Sequence, residues 1–152
     1  MSTKYPRIVK LSSLEGLSSI PVNTKITATI LSPSSGSVLE TQSNLSADAS
    51  GNYTITFLST DPQLVNIRVK AQGYLSQLLS NIDNTINSPI AISLPQLLAG
   101  DFNNDNTVNS LDYSLLNTHY NQAFTTADIN QDGIVNSLDF AILKNNYNKA
   151  GQ

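Results

Sequence analysis

Six of the nine aspartates in this 152-residue chain fall in two short segments near its end. Asp101, Asp105 and Asp112 form one group, and Asp128, Asp132 and Asp139 repeat it with the same spacing. Carboxylates this close repel one another. In a chain with only 12 % charged residues, such crowding points to a cation that neutralises it. The surrounding residues repeat too: DFNNDNTVNSLDYSLLNTHY returns 27 residues later as DINQDGIVNSLDFAILKNNY. Both copies keep an Asn at the third and ninth places and an Asp at the first, fifth and twelfth.

That pattern suits an EF-hand-type loop of twelve residues, in which alternate places offer oxygen to one ion. In the first loop the donors are Asp101, Asn103, Asp105, the carbonyl of Thr107, Asn109 and Asp112. In the second they are Asp128, Asn130, Asp132, the carbonyl of Ile134, Asn136 and Asp139. Hard oxygen donors in a flexible ring favour Ca²⁺ over Mg²⁺, which wants fewer protein ligands and a tighter octahedron. Two ions are expected, one per loop. The sixth place needs a sharp turn; Gly133 fills it in the second loop and Asn106 in the first. Val108 and Val135 hold the eighth place, where a short strand contact between the loops is expected.

A short helix should follow each loop. Leu111, Leu115, Leu116 and Tyr120 form one apolar stripe, and Leu138, Ile142, Leu143 and Tyr147 its twin. Packing between the two helices accounts for most of these residues. No chemistry beyond ion binding is legible. His119, the lone histidine, has no Ser or Cys nucleophile as a visible partner, and Glu15 and Glu40 make no carboxylate pair. Phosphate-binding glycine loops are absent, so a non-enzymatic role is expected.

The duplicated loop and helix resemble a dockerin over about residues 99–149. A dockerin pairs two calcium loops, each followed by one helix, without the helix that precedes an EF-hand loop. Here PIAISLPQLLAG precedes Asp101, with no helix start in it, and Asp rather than Glu ends each loop. The resemblance implies a cohesin partner. Its contact positions would be Ser110, Leu111, Ser137 and Leu138, with Asn117, Thr118, Lys144 and Asn145 on the helices. The Ser-Leu pair departs from the Ser-Thr common in one dockerin type.

Residues before the loops read as strands. KITATIL, GNYTITF, LVNIRVKA and PIAISL alternate, with Ile26, Ala28 and Ile30, then Tyr53, Ile55 and Phe57, then Val65, Ile67, Val69 and Ala71, then Ile90, Ile92 and Leu94 facing inward. Turn clusters SPSSGS, DASGN, STDPQ and DNTINSP separate them, and AQGYLSQLL reads as a strand end with a loop or a short helical turn. Short period-2 runs at this spacing predict an antiparallel β-sandwich. DASGNYTITF and VNIRVKAQGYL are similar to an Ig-like or X-module domain that precedes some dockerins. The expected fold is mainly β with a small α part: an antiparallel Ig-like β-sandwich at 1–98, then a dockerin-like pair of calcium loop-helix repeats at 99–152. Residues 1–20 form an arm whose RIVKL strand either joins its own sandwich or completes a neighbour's sheet. Strand donation does not close on itself and would build a fibre.

Composition bounds the function. Residues 1–100 carry six Lys/Arg against five Asp/Glu, and residues 101–152 carry two against six. No basic run offers a nucleic-acid surface, and no apolar run is long enough to span a membrane. There is no cysteine, hence no disulfide and no thiolate metal site; 18 Asn and 20 Ser supply the polar surface. MSTKYPRIVK has no signal-peptide core. Calcium loops favour an extracellular or cell-surface setting. The leading expectation is a structural subunit of a cell-surface fibre, a homopolymer built by N-terminal strand donation. The alternative is a dockerin that anchors to a cohesin-bearing scaffold, as in cellulosome-like complexes. A calcium-dependent glycan-binding domain is weaker, because the sandwich has no Trp. Asn44 and Asn52 begin glycosylation triplets.

Overall fold

The computed structural model of the chain describes residues 4–58, 64–85 and 89–152. The STDPQ turn, part of the DNTINSP turn, the start of the arm and the side chain of Phe57 lie outside the described residues. Two compact units emerge, Met1–Ser12 with Pro21–Lys70 and Gln77–Pro95, and Ser13–Ile20 with Ala71–Ser76 and Gln96–Gln152.

The first unit is a β-sandwich. One sheet has the order β4 (Asn52–Leu58), β1 (Lys4–Leu11), β8 (Ile90–Leu94). The other has the order β3 (Val38–Ser46), β2 (Lys25–Leu31), β5 (Leu64–Ala71), β7 (Gln77–Asp83). The alternation in the sequence sets the inward faces: Ile26, Ala28 and Ile30 on β2, Tyr53 and Ile55 on β4, and Val65, Ile67 and Val69 on β5 are all buried. Each large side chain so buried contributes about 1.5–3 kcal/mol of hydrophobic free energy. Tyr53 keeps its hydroxyl satisfied by donating to the carbonyl of Thr24 at 3.1 Å, while burial raises its pKa.

The structure refines one expectation here and decides between two others. The sandwich is not wholly antiparallel: β1 pairs antiparallel with β4 but parallel with β8, from Arg7 opposite Ile90 to Leu11 opposite Leu94. The two strands are separated by most of the unit, so no hairpin dictates their direction. Of the two readings of the arm, the strand of its own sandwich is the one seen: β1 lies at the centre of its own three-stranded sheet, and strand donation, on which the fibre expectation rested, is not. Donating β1 would break both its ladders at once.

The strands β3 and β7 escaped the sequence reading because neither buries a residue fully: β3 is mostly exposed and β7 mostly half-buried, without a buried alternation. Each also carries an irregularity. The register between β2 and β3 shifts between Ile26 and Ala28, where Asn44 sits at φ +58°. On β7, Asn81 takes φ +57° at a second shift. Bulges of this kind twist an edge away from further pairing. Beneath them, Arg7 is fully buried on the centre strand, its Nε and Nη2 donating to the Asp83 carbonyl at 3.2 and 2.6 Å and its Nη1 to that of Pro6 at 3.1 Å. Burial lowers its pKa, and nearby Asp83 opposes the shift.

The second unit joins β6 (Gly73–Tyr74) to β9 (Ala99–Asp101) and adds α1 (Ser110–Thr118) and α2 (Ser137–Asn146). Leu75, Ala99, Phe102, Val108, Leu116, Ala127, Ile129, Val135 and Leu143 form one core. Segment 13–20 belongs to this unit by direct contact. Leu14 bridges to Leu97, and the Glu15 carboxylate accepts from the Ala99 amide at 3.0 Å and from the Asn146 side chain. Gly16 sits at φ +86°, where a Cβ would come within 2.5 Å of Ile129 Cγ2.

The helix stripes divide. Leu116 and Leu143 are buried and Leu115 and Ile142 partly so, but Leu111, Leu138, Tyr120 and Tyr147 are exposed. At about 100° per residue, Leu111 and Leu116 lie roughly 140° apart and cannot share one buried face. The helices meet through the repeat-mates Tyr113 and Phe140, whose ring centroids are 5.7 Å apart. Among the described residues, no helix is long and apolar enough to cross a membrane.

Candidate metal centre

Each loop begins in a turn that only a few residue types tolerate. Asn104 and Asn106 take φ of +61° and +70° in the first loop; Gln131 and Gly133 take +56° and +98° in the second. Asn is the residue after Gly best able to hold such a conformation, which explains the exchange at the sixth place. The carboxylate at the first place folds over the turn. Asp101 Oδ2 accepts from the Asn106 amide at 3.0 Å, as Asp128 Oδ2 accepts from Gly133 at 2.9 Å.

The third, fifth and ninth places meet at one oxygen in each loop. Asp105 Oδ2 accepts from the side-chain amides of Asn103 at 2.8 Å and Asn109 at 3.4 Å. Asp132 Oδ2 accepts from those of Asn130 at 2.9 Å and Asn136 at 3.2 Å. The second carboxylate oxygen in each case takes the amide of the seventh residue, Thr107 or Ile134, at 2.9 and 3.1 Å. In the second loop the Asn136 amide also donates to the Ile134 carbonyl at 3.2 Å. Hydrogen bonds from Asn130 first, then from Ile134 and Asn136, lower the pKa of Asp132.

The twelfth place is different in kind. Asp112 and Asp139 are fully buried at the N-termini of α1 and α2. Asp112 Oδ1 accepts from the amides of Phe102 and Asn103 at 2.8 and 3.2 Å, and its Oδ2 from Asn109 at 2.9 Å. Asp139 repeats the set with Ile129, Asn130 and Asn136 at 2.7, 3.3 and 2.9 Å. With Asn109 and Asn136 as N-caps, these pairs are capping boxes. The twelfth residue therefore closes the loop and starts the helix at once, a role the sequence reading did not assign.

All twelve candidate residues thus fall into two loops that match nearly bond for bond. Among the described residues, no three Asp, Glu, His or Cys side chains converge closely enough to hold a metal by themselves. A cation here would need the mixed donor set of carboxylate, amide and carbonyl oxygens. Turning the amides of Asn103 and Asn130 would present their Oδ1 atoms to it, while Asn109 and Asn136 Oδ1 stay with the Leu111 and Leu138 amides as helix caps. Such an all-oxygen set suits Ca²⁺.

The expected strand contact between the loops does not form as foreseen. Val108 exchanges hydrogen bonds with Lys149 and Asn148 at 2.9 and 2.8 Å, and Val135 with Gln122 and Asn121 at 3.0 and 2.8 Å. Each valine is thus held by the segment that follows the other loop's helix. Asn121 and Asn148, repeat-mates, make the required turn with φ of +62° and +64°. All eight positions named as cohesin contacts are exposed, Leu111 and Leu138 at 60 % and 59 %. His119, at the C-cap of α1, stacks on Phe124 with centroids 3.7 Å apart.

A sandwich of two sheets together with a duplicated loop-helix unit defines an X-module–dockerin type of fold. Residues 99–148 match the family model of the dockerin type I domain. Over nearly its whole length the chain is similar to two solved structures from Acetivibrio cellulolyticus. The first is an N-terminal interface mutant of a type II cohesin–X-dockerin complex, with 15 % identity, a TM-score of 0.68 and 97 % of each chain covered. The second, a C-terminal interface mutant of the same type of complex, has 16 % identity and a TM-score of 0.66, again covering 97 % of each chain. No curated protein matches the chain.

Proposed function

We propose that this chain is a non-catalytic, calcium-dependent anchoring module whose second unit docks onto a cohesin. The observation that carries the reading is the exposed leucine pair. Leu111 and Leu138 begin the two helices, and both stay more than half exposed, although the same unit buries Leu116 and Leu143. Apolar side chains held out at equivalent places in a duplicated motif fit a docking surface. The dockerin match at 99–148 and the likeness of the fold to proteins solved in cohesin complexes support the same partner class.

Two Ca²⁺ ions, one per loop and held by the twelve residues named, would keep both helix starts in register. The docking part is 99–152, completed by residues 13–20 and 71–76; the sandwich of about 1–98 serves as its structural companion. Calcium at extracellular concentration fills even weak loops of this kind, so the module works outside the cell or at its surface. A homopolymer has less support, because β1 is already paired on both sides.

The test is calorimetric titration of a panel of cohesin domains onto the whole chain, in calcium and in EDTA. Binding by at least one cohesin in calcium, lost in EDTA and weakened at least about 100-fold by Leu111→Asp with Leu138→Asp, is the expected result. Binding that ignores both calcium and the leucine changes would overturn the reading.

A further inference from the structure

The two loops agree nearly bond for bond within themselves but not in what holds them from outside. In the first loop, Asn104 Oδ1 accepts from the Gly73 amide at 3.1 Å, and Asn106 Oδ1 accepts from the Ser76 amide at 2.9 Å. The Asn106 carbonyl accepts from the Gly151 amide at 2.9 Å. Gln152 and Ser76 close the same patch: the Gln152 amide donates to the Ser76 carbonyl at 3.1 Å, and the Ser76 hydroxyl to the Gln152 carbonyl at 2.7 Å. Gly151 packs so tightly that a Cβ there would lie 2.2 Å from Asn106 Oδ1 and 2.6 Å from the Ser76 amide nitrogen.

The second loop has the shared valine clasp, the Asp128 amide on the Phe124 carbonyl at 3.1 Å and the packing of Gly16 on Ile129, but among the described residues its turn has no such tie. Gln131 and Gly133 occupy the places of Asn104 and Asn106 with similar backbone angles. Among the described residues, no hydrogen bond runs from either of them to a segment outside the loop. A Cβ built on Gly133 would meet open space.

A loop already held in its ion-binding shape loses less conformational freedom when an ion arrives, and lets the ion go more slowly. We infer that Asn106 is a positioning residue that makes the first loop the tighter, slower-releasing calcium site, by tying it to Ser76 and Gly151. The second loop, free of these ties, is the one that empties first when calcium falls. The inference rests on the proposal that both loops bind calcium.

The test uses the whole chain loaded with calcium alone and mixed rapidly with a chelating dye. Two release phases are expected, with rates about tenfold or more apart. Asp128→Ala should keep the slow phase and Asp101→Ala the fast one. Asn106→Gly, which copies the second loop and suits φ +70°, should speed the slow phase until the two merge, with an unchanged circular dichroism spectrum. Gly151→Ala should do the same from the other side of the contact. A single phase in the unchanged chain, a slow phase that survives both Asn106→Gly and Gly151→Ala, or a slow phase lost in Asp128→Ala would each overturn the inference. Failure of the unchanged chain to take up any calcium would instead overturn the proposal beneath it, and the inference with it.

Discussion

Asp139 and Asp132 are both proposed calcium ligands, yet the chain uses them differently. Asp132 is exposed and holds only its own loop, whereas buried Asp139 gathers three backbone amides and caps α2. Either alanine substitution should weaken calcium uptake. Only Asp139→Ala should also destabilise the calcium-free protein, by about 2 kcal/mol in urea titration, because three backbone amides, one fully buried, lose their acceptor. Replacing Asp101 and Asp128 together by alanine should abolish uptake measured by calorimetry. Tyr74 gives a test at the other end of the pH scale. Burial, with a smaller contribution from Glu15, pushes its pKa from 10.0 up to about 12. The raised value means the folded protein keeps a proton that the unfolded chain gives up. Its stabilisation is complete below pH 10 and is lost as pH rises through about 12. Alkaline unfolding monitored by circular dichroism should therefore be less steep over this range in Tyr74→Phe.

At the scale of the element, both helices are short: nine and ten residues. Helices of that length are marginal on their own, so their caps and the shared core must hold them. Asn136→Ala removes the N-cap of α2 and should cost about 1 kcal/mol in thermal or urea unfolding. The centre strand β1 depends on a different device. Its buried Arg7 satisfies the carbonyls of Pro6 and Asp83. Arg7→Ala would remove those three hydrogen bonds and open a cavity, and should lower stability by about 3 kcal/mol. The same strand position weighs against strand donation, since a central strand is the hardest to release.

For the molecule as a whole, calcium should act as a staple. Each ion at 100 times its Kd adds about 2.7 kcal/mol, so EDTA should lower the unfolding midpoint well beyond the change expected from ionic strength. Light scattering distinguishes the two assemblies considered from the sequence. A 16.4 kDa monomer in calcium is expected of a module that waits for a cohesin. Large, polydisperse species that vanish on removal of residues 1–20 would restore the fibre.

Residue types and spacing were enough to find the two loops proposed to bind calcium, because the geometry of such a loop is local: twelve consecutive residues and one tight turn carry all the candidate donors. The same holds for the inward faces of β2, β4 and β5, where period-2 alternation records burial directly. Three things needed the folded chain. The parallel partner of β1 is distant in sequence, so no local pattern encodes it. Exposed β3 and half-buried β7 owe their strand form to neighbours rather than to an apolar rhythm. The unequal surroundings of the loops come chiefly from the backbone amides of Gly73, Ser76 and Gly151, which every residue but proline carries and no sequence pattern marks. A repeat makes two loops look equivalent in sequence; only tertiary contacts, which the repeat does not copy, make them different.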